Sequence, residues 1–187
     1  MRRNLTILAA TALSAAAVVG AIPAAHAAED PFLHAQVGLT YTVYEPQKAL
    51  GLKMGAAHQT GFQLQDCAGS DEQVDAVYGG RLNAQHEVVG RSFTLLESLK
   101  GCEDGPDGVG PAGTFTALGA TATVMGSCAG GKSTCSSATK QGVRKQAYTT
   151  VTLPAASGLK PTFVELYTTG LSFAQIRTIV GSLKAVQ

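Results

Sequence analysis

Apolar and polar side chains alternate along much of the chain. Leu39, Tyr41 and Val43 interleave with Thr40, Thr42 and Tyr44, and Phe62 and Leu64 share one phase. Val74, Ala76 and Tyr78 do the same around Asp75 and Val77, followed by Phe93 and Leu95 within residues 92–99. Phe115 and Ala117, the threonine-spaced run from Ala120 to Met125, then Ala147, Val151 and Leu153, and finally Val164 and Leu166 complete the series. A period of two turns one set of side chains inward and the other outward, so each run predicts a short strand. Glycine- and proline-containing turns separate the runs at intervals of about 8–15 residues, the spacing of antiparallel strands. The alternation of strand and long helix that would build a parallel sheet is missing.

The helical signal lies near the carboxyl end. Ser172 with Gln175 fits a capping box, Leu171 and Ile176 fit a hydrophobic staple, and Phe173, Ile176, Ile179, Val180 and Leu183 form an apolar stripe. These elements predict an α+β fold in a single domain: a curved antiparallel sheet of about six to eight strands with a C-terminal helix packed on one face. Residues 104–113, with Pro106, Pro111 and four glycines, read as an exposed mobile loop. Neither an internal repeat nor an interdomain linker is visible.

The first 27 residues stand apart. Arg2 and Arg3 precede an uncharged stretch from Leu5 to Ile22, and Ala25-His26-Ala27 supplies the small-x-small pattern of a cleavage site. Cleavage after Ala27 by general secretion is expected, leaving residues 28–187 as a secreted, monomeric domain without a membrane span. An uncleaved anchor fits less well, given the alanine-rich composition, Gly20 and Pro23. Loss of the two arginines leaves 12 basic against 13 acidic side chains. A near-neutral chain has no field to hold a polyanion, which excludes nucleic acid and polybasic membrane adhesion. Hydrophobic residues make up 45% with no Trp, enough for a core sparing in large aromatics.

Cys67, Cys102, Cys128 and Cys135 all follow the export signal, and an even number in an oxidising compartment predicts two disulfides. Of three pairings, Cys67–Cys102 and Cys128–Cys135 are favoured, because the second pair flanks a short glycine-rich loop. Closing these loops would stabilise the fold by roughly 3.8 and 2.5 kcal/mol. No Cys-x-x-Cys is present and His34, His58 and His86 lie in different segments, so neither a metal nor a cofactor is expected.

Residues 126–133, Gly-Ser-Cys-Ala-Gly-Gly-Lys-Ser, satisfy the phosphate-loop pattern G-x-x-x-x-G-K-[ST]. That pattern works only where an amphipathic helix starts at the lysine. Residues 136–142 are polar and reach Gly142 within two turns, so no such helix is expected. The same stretch mimics a cysteine nucleophile elbow, which also needs that helix and a free thiolate. A ring displaying Lys132-Ser133 resembles the reactive loops of Bowman–Birk-type serine-protease inhibitors. The resemblance implies a trypsin-directed loop, although Gly130-Gly131 before Lys132 predict a flexible, cleavable ring and the family's prolines are missing.

Glu97 falls in phase with Phe93 and Leu95, and Glu165 with Phe163 and Tyr167. Brought together across strands they would form an acid–base pair, the basis of a hydrolase alternative. Glu103, Asp104 and Asp107 suggest calcium, but Gly105-Pro106 breaks the ligand spacing.

Residues 162–186 carry Phe163-Val164-Glu165-Leu166-Tyr167, then Gly170-Leu171-Ser172, then a helix pattern closing on Ser182-Leu183. This tail resembles the end of extracytoplasmic sensor-type domains of anti-sigma factors, and Tyr44-Glu45-Pro46 is loosely similar too. The whole is similar to small secreted actinobacterial proteins of no assigned activity. The resemblance implies an antiparallel sheet with a helix on one face and no catalytic residues; without a membrane span and cytoplasmic segment, the signalling role does not carry over. The leading expectation is a secreted, disulfide-stabilised, non-catalytic binding module for a protein or small-molecule ligand, with Gly130, Gly131, Lys132 and Ser133 as the candidate interaction loop.

Overall fold

The computed structural model describes residues 30–55, 61–65, 72–84, 88–100 and 105–186. The expected export signal, cleavage site and the pair Cys67 and Cys102 lie outside the described residues, as do His58, His86, Glu103 and Asp104. Among the described residues no helix is long and apolar enough to cross a membrane.

Among the described residues, nine strands and three short α-helices form one domain. In chain order they are α1 (Pro31–Gln36), β1 (Tyr44–Pro46), β2 (Phe62–Gln65), β3 (Gln73–Leu82), β4 (Val88–Ser98), β5 (Val109–Ala117) and β6 (Ala120–Ser127). Then follow α2 (Lys140–Lys145), β7 (Ala147–Leu153), β8 (Thr162–Thr169), α3 (Phe173–Val180) and β9 (Leu183–Ala185). Seven strands make one antiparallel sheet in the order β2-β3-β4-β8-β7-β6-β5, within the expected range, and β1 pairs with β9 in a separate ribbon. β8 therefore joins two meanders, β2-β3-β4 and β5-β6-β7. Val164, Leu166, Leu95 and Phe93 share one sheet face through their register. They belong to the core that also holds Ile176, Ile179 and Val180 of α3 and Phe32 of α1. Edge-to-face ring contacts mark the two ends of this covered face, Phe32 on Phe62 and Phe173 on Phe115.

Four local expectations are corrected. Residues 39–43 are extended but not a sheet strand: the Gln36 side chain accepts from the Val43 N–H at 2.7 Å and donates to the Tyr41 carbonyl at 2.9 Å, standing where a neighbouring strand would. The C-terminal helix stops at Val180, because the Gly181 N–H bonds the Arg177 carbonyl and the Ser182 hydroxyl bonds that of Ile179. Leu183 still points into the core, but from β9. Residues 109–113 of the loop expected over 104–113 belong to strand β5, whose place at the sheet edge tolerates Pro111. Finally, α2 occupies part of the segment read as non-helical; it starts at Lys140, capped by the Thr139 hydroxyl accepting from the Gly142 N–H at 3.0 Å.

Candidate functional site

Cys128 and Cys135 form a disulfide with their Cα atoms 5.7 Å apart. The ring that they close is tied to β5 and its lead-in at Cys128, Ser133 and Cys135, while Gly130 and Gly131 stand exposed. The Cys128 N–H donates to the Gly108 carbonyl at 2.8 Å, and the Gly108 N–H donates to the Ser133 carbonyl at 3.2 Å. The bridge itself lies on β5 at Gly110, where a Cβ would stand 2.4 Å from the Cys135 sulfur. Lys132 and Ser133 are exposed at the tip. No helix begins at Lys132, whose backbone is extended, and Gly126 lies inside β6, so neither the phosphate loop nor the nucleophile elbow is assembled.

The two glutamates do not form a pair. Glu97 is in register with Val164 and Leu96 with Glu165, so the two carboxylates leave opposite faces of the sheet. Glu97 is fully buried on the core side, where its Oε2 accepts the Tyr44 N–H at 2.9 Å and its Oε1 has no partner. Burial pushes its pKa well above the usual carboxylate range, against a smaller downward pull from that one hydrogen bond. A hydrogen bond to a charged group stabilises by about 1.5–3 kcal/mol, less than the several kcal/mol of removing a carboxylate from water. Burial therefore favours the neutral form of the group, which has no access to a substrate. On the other face Glu165 accepts the Tyr148 phenol at 2.5 Å. Burial, reinforced by Glu165, pushes the Tyr148 phenol up, the wrong direction for a nucleophile or base near neutral pH. His34 and Asp107 are exposed, and no group of three metal-ligating side chains exists among the described residues.

A different place collects convergent chemistry. Between α2, the start of α3 and the β5 edge lies a half-open groove of about 430 Å³. Ala112, Ala138, Val143 and Phe173 give it apolar walls, and Lys140 and Arg144 stand beside them. Two glycines shape it. A β-bulge between Pro111 and Gly113 bends β5, and Gly113 (φ +139°) has no side chain where a Cβ would press to 3.3 Å of the Phe173 ring. At Gly142 a Cβ would fall 2.1 Å from the Ser127 carbonyl oxygen, so only glycine lets α2 lie this close to β6. With Val143 buried beneath, Lys140 and Arg144 share the adjacent helical face at i and i+4. The Gly170 N–H, bonded to the Arg144 carbonyl at 2.8 Å, ties the end of α2 to the lead-in of α3 and sets the groove's width.

Of the groove's apolar and cationic walls, only Phe173 was singled out in the sequence. Thr139 followed by Gly142 is a cap signal, and a lysine and an arginine four apart around one valine mark an exposed helical face. A six-residue helix with a single buried side chain is too short to show a stripe. No family model matches the chain, and no curated protein or solved structure does either.

Proposed function

We propose that the protein is an exported, non-catalytic binding module whose ligand sits in the groove between α2, α3 and β5. The observation that carries the reading is the groove itself: apolar walls with two cationic side chains, held on helices and a sheet edge rather than on free loops. Its volume falls within the ~300–1,000 Å³ typical of small-molecule sites. Glu97, Glu165 and Tyr148, the groups with catalytic chemistry, line no part of it. The Cys128–Cys135 bridge suits an oxidising compartment. A fragment screen by nitrogen-15 NMR tests the reading. Hits should converge on the amides of Ala112, Val143 and Phe173; hits scattered over the surface, or gathered on the Tyr148 face, would remove it.

A second reading is favoured by the pinning of the disulfide ring to Gly108 and Gly110. A tethered loop loses little entropy on docking, which is what an inhibitor presenting Lys132-Ser133 to a trypsin-like protease needs. Stoichiometric inhibition of trypsin, abolished by Lys132→Ala, would support it; multiple-turnover cleavage after Lys132 would end it.

A further inference from the structure

Lys140 and Arg144 present like charges one helical turn apart, an arrangement that weakens a helix by about 0.2–0.5 kcal/mol. Lys140 is also the first residue of α2, whose first turn holds no acid, so the helix gains nothing from a cation there. No described carboxylate pairs with either side chain, and none lines the groove. The first turn of α3, which borders the same space, is likewise without an acid. A pair of cations of which Lys140 stands at the unfavourable end of its helix, with no counter-charge among the described residues and set beside apolar walls, has the composition of half a binding site.

Resting on the groove as the ligand site, we infer that its occupant is a free amphiphile with one anionic head and an alkyl body, of the fatty-carboxylate class. The head lies between the Lys140 ammonium and the Arg144 guanidinium, whose planar fork matches a carboxylate's two oxygens. The body runs over Val143, Ala112 and Phe173, where burial of each methylene contributes about 0.8 kcal/mol. Neither part suffices alone. A rim charge pair contributes only about 0–1 kcal/mol, so a head without a tail binds weakly. A tail with a cationic head meets two like charges.

The test is titration of the folded protein with decanoate below its micelle concentration, followed by nitrogen-15 NMR and calorimetry, beside acetate, decanol and decyltrimethylammonium. Decanoate should saturate one site and shift Val143, Arg144 and Phe173, with acetate and decyltrimethylammonium at least about tenfold weaker. The K140E/R144E double variant should lose about tenfold or more in decanoate affinity, the size expected from reversing two rim charges. Both side chains are exposed, so the variant should melt with the parent, and K140Q/R144Q serves as a second variant should it not. Equal binding of decyltrimethylammonium, undiminished affinity in both variants, or a decanoate site elsewhere would overturn the proposal. So would binding to anionic phosphatidylglycerol vesicles with no response to monomeric decanoate, which would assign the charges to a membrane surface. Fragments that fill the groove while decanoate does not would defeat the amphiphile and leave the binding reading intact. An empty groove in both experiments would defeat the reading as well.

Discussion

The carboxyl of Glu97 sits among Phe93, Leu95 and Val164 with a single hydrogen bond to the Tyr44 backbone. Its pKa is raised, so the folded chain binds a proton there that the unfolded chain releases near the ordinary value of about 4.3. The sign follows: this side chain's contribution is fully present below the ordinary value and is lost as pH rises toward the raised one. Glu97→Gln preserves the acceptor for the Tyr44 N–H and removes the titration. Thermal melts across about pH 4 to 8 should show a flatter profile and a higher midpoint at the alkaline end. A gain of about 1 kcal/mol appears as roughly 2–4 °C in a chain of this size. An unchanged slope would mean that Glu97 does not govern it. The phases of Glu97 with Phe93 and Leu95, and of Glu165 with Phe163 and Tyr167, were legible in the sequence, but not which of the two faces the core. That the two lie on opposite faces is a matter of register between β4 and β8, set some seventy residues apart in sequence, which no local pattern carries.

At the scale of elements, α3 shows a sequence signal and a structure in close agreement. Ser172 and Gln175 exchange hydrogen bonds in a complete capping box. Ser172→Ala should cost about 1 kcal/mol, read as a lowered urea midpoint at constant slope. A cap announces itself because it is local chemistry. The end of α3 was misread for the complementary reason: Leu183 continues the apolar spacing, and only the pairing of β9 with β1 shows that the chain has left the helix. The first half of β5 was mistaken for a loop because Pro111, Gly110 and Gly113 are poor strand formers. Their reasons are tertiary: an open sheet edge, the Cys135 sulfur and the Phe173 ring. The groove inherits this difficulty, since its walls come from three elements whose adjacency appears only after folding.

For the whole molecule, the Cys128–Cys135 bridge closes a loop with a sequence separation of 7. Replacing both cysteines with serine should lower stability by up to about 2.5 kcal/mol by the loop-closure relation. Chemical denaturation of the paired-serine variant checks this; an unchanged midpoint would show that the ties through Gly108 already hold the loop closed. The order of strands carries a further demand. β8, at the centre of the sheet, and β9, which closes the ribbon on β1, are among the last residues of the chain. Truncation after Leu159 should therefore yield a species that binds hydrophobic dyes and lacks a cooperative melt, rather than a smaller stable domain. A polypeptide emerging amino-terminus first, from a ribosome or a translocation channel, carries two half-sheets with bare inner margins until residues 162–169 arrive to stitch them.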